Sequence, residues 1–177
     1  MTPKSHAARV LRDAVLSLAD EVPAGRVLVN SGRLSVPTWL TDSPLNTPDR
    51  EHFDGWMVPG APMDDAPLRG PARACGSGWL LEALSRAGPG FVLLHFGVPD
   101  AATRRDAADL KLPLLVLHDA AEPTPDALHD AQGLAARRCD ARPGTCYLIR
   151  PDQHVAARWR RFDAAAVRAA LARATGH

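Results

Sequence analysis

The stretch 31–78 carries seven prolines, Pro37, Pro44, Pro48, Pro59, Pro62, Pro67 and Pro71, with glycines at 55, 60, 70, 76 and 78. Each proline fixes its backbone and removes a donor, so neither a long helix nor a central strand runs through this region. Trp39, Leu45, Phe53, Trp56, Met57 and Val58 are interspersed, and a free linker seldom carries so many large apolar groups. The pattern predicts an extended strap, laid over a folded body and pinned by aromatic anchors. A structureless loop of this length is unusual inside a compact domain, which places the strap between two units.

The flanking regions read as regular structure. In 1–30, Ser5 can cap a helix over 5–21, with Val10, Leu11, Ala14, Val15 and Leu18 on one stripe and Pro23 and Gly25 beyond its end. From 79 to 177 the pattern predicts a helix over 79–85, a buried strand over 91–96, a helix over 99–109 and a second strand over 112–118. A helix over 126–138, weakened by Gly133, a strand over 145–150, a tight turn at Pro151-Asp152-Gln153, a strand over 154–159 and an Ala-rich helix capped by Asp163 complete it. The uninterrupted apolar runs of the first two strands imply a mixed sheet covered on both faces. Crossover helices make those two strands parallel, and the turn makes the last pair antiparallel. This is an α/β, thioredoxin-like three-layer sandwich, preceded by an N-terminal helix and the strap. Pro143 sits where such folds place a cis-proline, although Gly144 shifts the local register.

Composition narrows the function classes. The hydrophobic fraction of 46% over 177 residues supports one well-buried core. A formal net charge of +1 points to neither nucleic acid nor a membrane surface as partner. Arg158, Arg160 and Arg161 form the one compact basic patch, which reads as a solvated strand end. No apolar run reaches the length of a membrane helix, and no signal-peptide pattern is present at the N-terminus. Cys75, Cys139 and Cys146 are odd in number and lack a two-residue spacing, so they suggest neither a disulfide framework nor a zinc site. A reducing, cytoplasmic compartment follows.

Thioredoxins work through two cysteines at the start of the helix after the first core strand, where the helix N-terminus lowers the thiol pKa. Here that place reads Gly97-Val98-Pro99-Asp100, without a thiol. The three cysteines elsewhere read as packing thiols, with a Cys139–Cys146 pair as the redox alternative. His95 and His118 fall near the ends of adjacent strands with Asp119 beside them. A metal there lacks a third ligand, and structural histidines are the simpler reading. Gly76-Ser77-Gly78 lacks the strand and the third glycine of a dinucleotide loop, so Ser77 reads as a helix cap. No serine sits on a nucleophile elbow. The residues therefore assign no catalytic, cofactor-binding or metal-ligating side chain.

Several segments resemble one family. Met1-Thr2-Pro3-Lys4-Ser5 with the helix Ala7-Ala8-Arg9-Val10-Leu11-Arg12-Asp13-Ala14-Val15 looks like the last helix of the flavin domain in FAD-dependent aromatic hydroxylases. Ser31-Gly32-Arg33-Leu34-Ser35 and Asp42-Ser43-Pro44-Leu45-Asn46-Thr47-Pro48 resemble the crossing segment that follows it there. Pro59-Gly60-Ala61-Pro62 with Asp65-Ala66-Pro67-Leu68 resembles the approach to the C-terminal domain. Leu148-Ile149-Arg150-Pro151-Asp152-Gln153-His154-Val155-Ala156 is similar to the hairpin near the end, and is the most specific of the set. The monooxygenases of the 3-(3-hydroxyphenyl)propionate hydroxylase type and the polyketide aromatic hydroxylases are the nearest in character.

The resemblance implies the end of a flavin domain at 1–30, a Pro-rich linker at 31–78 and a thioredoxin-like C-terminal domain at 79–177. For the whole enzyme it implies FAD, NAD(P)H and dioxygen acting on a phenolic ring, while the flavin-binding motifs lie outside this sequence. This segment then has a structural or oligomerisation role. Its partner is an upstream FAD-binding domain or, where the first helix lacks that domain, a second copy paired through the stripe of Val10, Leu11, Val15 and Leu18 as a two-fold dimer. The alternatives are a stand-alone thiol-redox protein or a small-ligand-binding module.

Overall fold

The computed structural model describes residues 5–22, 37–118 and 127–177. The chain divides into two compact units, Met1–Pro37 and Thr38–His177. The first is represented by helix α1 (His6–Glu21), on which Val10 and Leu18 are exposed, as is Val22 just beyond its end.

The second unit is built on a six-stranded mixed sheet. In chain order it holds β1 (Leu68–Arg69), α2 (Ala72–Cys75), α3 (Leu80–Ala87), β2 (Val92–Phe96), α4 (Ala101–Asp109), β3 (Leu114–His118), β4 (Leu128–Asp130), α5 (Leu134–Arg138), β5 (Cys146–Ile149), β6 (Val155–Trp159) and α6 (Ala164–Ala174). The strands lie in the order β1-β4-β3-β2-β5-β6. β2, β3 and β4 are parallel, and β1, β5 and β6 each run antiparallel to their neighbours. Side chains alternate across the sheet. Leu94, Phe96, Leu115, Leu117, Tyr147 and Ile149 share one core with the strap, α3 and α5. Leu93, Cys146, Leu148 and Trp159 share the other with α4 and α6. This makes a three-layer α/β sandwich, and it explains why the central strands are apolar without alternation.

The strap belongs to this unit and crosses the first face from edge to edge. Along β6, the Gly60 amide donates to the Val155 carbonyl (2.7 Å), the Val155 amide to Ala61 (2.9 Å) and the Met63 amide to Gln153 (2.8 Å). On the far side, Leu68 and Arg69 pair with Asp130 and His129. Both free edges of the sheet are thereby covered, which removes a template for edge pairing. A β-carbon at Gly60 (φ 91°) would collide with the Leu40 carbonyl, so the crossing needs glycine there.

The anchors are not the aromatics expected from sequence. Trp39, Trp56 and Leu45 are exposed, whereas Met57, Ala61, Met63, Ala66 and Leu68 are buried. Phe53 is held differently, between two guanidinium groups: the Cζ of Arg158 lies 4.3 Å from its ring centre and that of Arg160 3.8 Å.

Arg158 is correspondingly no solvated strand end. Its side chain is 2% exposed and forms a fork with Asp49 (Nε–Oδ1 3.0 Å, Nη2–Oδ2 2.6 Å). Its Nη1 donates to the carbonyls of Gly55 (2.9 Å) and Met57 (3.2 Å). Burial alone lowers its pKa, and hydrogen bonding with Asp49 and Tyr147 outweighs that and raises it. Arg160 donates to the His52 carbonyl (2.7 Å) and pairs with Asp140.

Two further elements depart from the sequence reading. The helix expected over 126–138 is a strand, Leu128–Asp130, followed by the short α5; Asp126 lies outside the described residues. Gly133 is left-handed (φ 62°) and the Asp130 carboxylate accepts the Leu134 (3.0 Å) and Ala136 (2.8 Å) amides, so the helix starts only there. One helical turn, α2, forms inside the strap directly after Pro71. No peptide bond among the described residues is cis, Pro143 included.

The β5–β6 turn gives each polar side chain of the sequence Arg150-Pro151-Asp152-Gln153-His154 except proline a job. Arg150 and Asp152 pair across it (2.7 Å), Gln153 reaches the Leu81 carbonyl (3.0 Å) and the Ser85 hydroxyl (2.8 Å) on α3, and His154 contacts the Thr38 carbonyl (2.9 Å).

Arg158→Ala is expected to destabilise the fold by about 3 kcal/mol, because Asp49 and two strap carbonyls lose their partner together. Asp49→Asn should lose less, since it retains an acceptor. Equal and negligible shifts in urea midpoint for both variants would show that the strap does not depend on the clamp.

Candidate functional site

The place where a thioredoxin-type centre would lie is the loop from β2 to α4. It is tightly built. The Gly97 amide donates to the Leu117 carbonyl (2.8 Å), and the Gly144 amide donates to that of Phe96 (2.8 Å). Gly97 has φ 81°, and a β-carbon there would sit 3.2 Å from Pro143. Asp100 caps α4 by accepting the Thr103 amide at 2.7 Å, and that hydrogen bond lowers its pKa. The positive helix end thus already holds a fixed anion. Val98 beside it is 72% exposed. A cleft of about 130 Å³ next to the loop is lined by Phe96, Leu117, His118, Asp130, Ala136 and Pro143. The Asp130 carboxylate is committed to α5, leaving little chemistry in it.

The cysteines do not meet. Cys139 packs in the first core, where its carbonyl accepts the Tyr147 hydroxyl at 2.6 Å. Cys146, one residue before Tyr147 on β5, points into the second core. The sheet therefore separates the two, and the redox pair considered from sequence has no geometric basis. Burial pushes each of these thiols up to about 12. Cys75 is also buried, with its Sγ 3.5 Å from the carbonyls of Gly70 and Pro71.

The histidines gather differently from the expectation. His118 pairs in register with His129 on β4, ring centres 5.5 Å apart, rather than with His95. His95 is buried and its Nδ1 donates to the Gly97 carbonyl at 2.9 Å. Burial lowers the pKa of both His95 and His118; Arg104 lowers both further, and His129 adds to the effect on His118. Among the described residues no group of three His, Cys, Asp or Glu could hold a metal ion; Asp119 lies outside them.

Ser77 is not a helix cap. Trp79 takes that position, and the Ser77 amide and hydroxyl both donate to Glu82, the former at 2.8 Å. Glu82, whose pKa is lowered to about 2 first by the Ser77 hydroxyl, also binds Arg86. The donor that a phosphate would need at Ser77 is occupied.

No protein-family model matches the chain, and no curated protein does. Solved structures do. The flavin-dependent monooxygenase PieE, in complex with FAD and substrate, is 21% identical with a TM-score of 0.54, over 98% of this chain and 30% of that one. The substrate-free rebeccamycin biosynthetic enzyme RebC is 23% identical with a TM-score of 0.52, over 98% and 29%. Aklavinone-11 hydroxylase, in a ternary complex with FAD and aklavinone, is 19% identical with a TM-score of 0.52, over 76% and 26%. The chain has a fold found in flavin-dependent monooxygenases. It spans less than a third of the length of each of these three structures, and at these identities the likeness is one of fold.

Two outcomes test this description. Ellman's reagent should leave all three thiols unmodified in the native protein and titrate them fully in denaturant; a thiol that reacts rapidly in the native state contradicts the burial. His95 and His118 bind protons less readily folded than unfolded. Stability should therefore be complete above the unfolded value near 6.5 and fall as pH drops below it. A melting temperature unchanged from pH 7 to about pH 5, or a decline of equal size in His95→Gln, would remove His95 from that account.

Proposed function

We propose that the chain is a non-catalytic, thioredoxin-like segment of an FAD- and NAD(P)H-dependent aromatic monooxygenase, serving structural support or subunit contact. The observation that carries the reading is the β2–α4 loop. The scaffold brings a helix N-terminus to the end of a central parallel strand, as thiol oxidoreductases do, and fills it with Asp100. The likeness to flavin-dependent monooxygenases, at 98% coverage for two of them, supports the same reading. The thioredoxin-like assignment rests on the succession β2-α4-β3, then β5-β6-α6, with β5 beside β2 and α4 and α6 on one face. In this reading FAD and NAD(P)H are held by the remainder of the enzyme, and the compartment is the cytoplasm.

The stripe of α1 is the proposed contact, either to a flavin domain or to a second copy. Exposed Val10 and Leu18 leave apolar surface for a partner.

Insulin reduction with dithiothreitol should run no faster with the chain than without it, and Cys146→Ser should change nothing. Turnover lost in Cys146→Ser would overturn the non-catalytic reading. Light scattering should report a dimer that Val10→Glu with Leu18→Glu converts to monomer. A clean monomer at high concentration would exclude self-association through α1.

A further inference from the structure

Outside the loop just described, a groove of about 950 Å³ runs between strap residues 47–51 and helix α6. Phe162 and Trp159 line its apolar part, and Ala165 and Ala169, one turn apart and exposed, line its helical wall. These short side chains let another backbone approach closely. The groove is partly open, and α6, at eleven residues, gives it a wall of about 16 Å. Small-molecule sites enclose most of their ligand; an open trough of this length matches a polypeptide segment.

Charge selects the kind of segment. Arg50, Arg161 and Arg173 line the groove. Arg50 and Arg161 have no acidic partner among the described residues, and Arg173 reaches only the Pro44 carbonyl at 3.4 Å. The two carboxylate side chains that line it each accept backbone amides. Glu51 accepts the Arg160 amide (2.8 Å), and Asp163 accepts those of Ala165 (2.8 Å) and Ala166 (3.0 Å) as the cap of α6. Arg168, exposed on the same helix, adds to the positive field. A second copy placed face to face would set these arginines against themselves.

We propose that this groove docks an acidic amphipathic helical segment of another protein. Its carboxylates face Arg50, Arg161 and Arg173, and its small apolar side chains lie against Ala165 and Ala169. Complementary charge sets orientation and rate, and close apolar contact sets lifetime.

The test uses the full chain and a fluorescein-labelled helical probe of about sixteen residues, long enough to form a helix, made of glutamate, alanine and leucine with its glutamates on one face. Anisotropy should report saturable binding that weakens with added salt. Arg161→Glu with Arg173→Glu should weaken it at least about tenfold. Ala169→Trp, which fills the groove and leaves every charge in place, should weaken it comparably. Circular dichroism melts on these exposed-site variants confirm an intact fold. The proposal is overturned by absence of binding, by equal affinity for polyglutamate with no effect of Ala169→Trp, or by a dimer that Ala169→Trp dissociates, which would make a second copy the occupant.

Discussion

A guanidinium withdrawn from water must be neutralised and fully hydrogen-bonded, and in this chain that requirement falls on the strap. Arg158 projects from β6 into the first core, and its donors are met by Asp49, Gly55 and Met57, all on the strap. Phe53 lies over the same group. One side chain therefore fixes where the strap starts its crossing, and the backbone pairing along β6 follows from that placement. Met57 and Ala61 then reach the core, and the strap continues to the opposite edge as β1. If Arg158 were solvated, the Pro-rich segment would lose the contact that distinguishes one path over the sheet from others.

This geometry also explains why the strap and the sheet form one compact unit. The strap supplies an edge strand, covers the other edge and contributes Met57, Met63 and Leu68 to the interior. A sheet without it would expose both edges and an apolar face together. The boundary in the fold, at Pro37, accordingly leaves the strap from Thr38 onward in the same unit as the sheet.

The central strands were legible because burial on both faces leaves an unbroken apolar run, as in Phe91-Val92-Leu93-Leu94-His95-Phe96. The helix starts at Asp100 and Asp163 were legible for a local reason: their carboxylates bond amides two or three residues away. What could not be read depends on distant partners. Leu128-His129-Asp130 carries no strand pattern of its own and becomes one by lying between β3 and β1. The role of Arg158 was obscured by its neighbours Arg160 and Arg161, although its place in the alternation Val155-Ala156-Ala157-Arg158-Trp159 marks it as a position to question. The absence of a thiol after Gly97 was plain in the sequence, whereas the sheet between Cys139 and Cys146 became visible only with the topology.

The surfaces left over have a common character. The β2–α4 loop ends in an anchored carboxylate, the small cleft beside it has its one acid committed to α5, and the thiols of Cys139 and Cys146 resist ionisation. Asp100 and Asp130 each hold the start of a helix. Exposed groups without such duties include Val98 at the loop, Val10 and Leu18 on α1, and the arginines around the α6 groove. At the β2–α4 loop the acidic group is spent on structure, and the exposed groups beside it and on α1 and α6 offer apolar and cationic surface. For that reason a likeness to redox enzymes in fold does not by itself carry their chemistry into this chain.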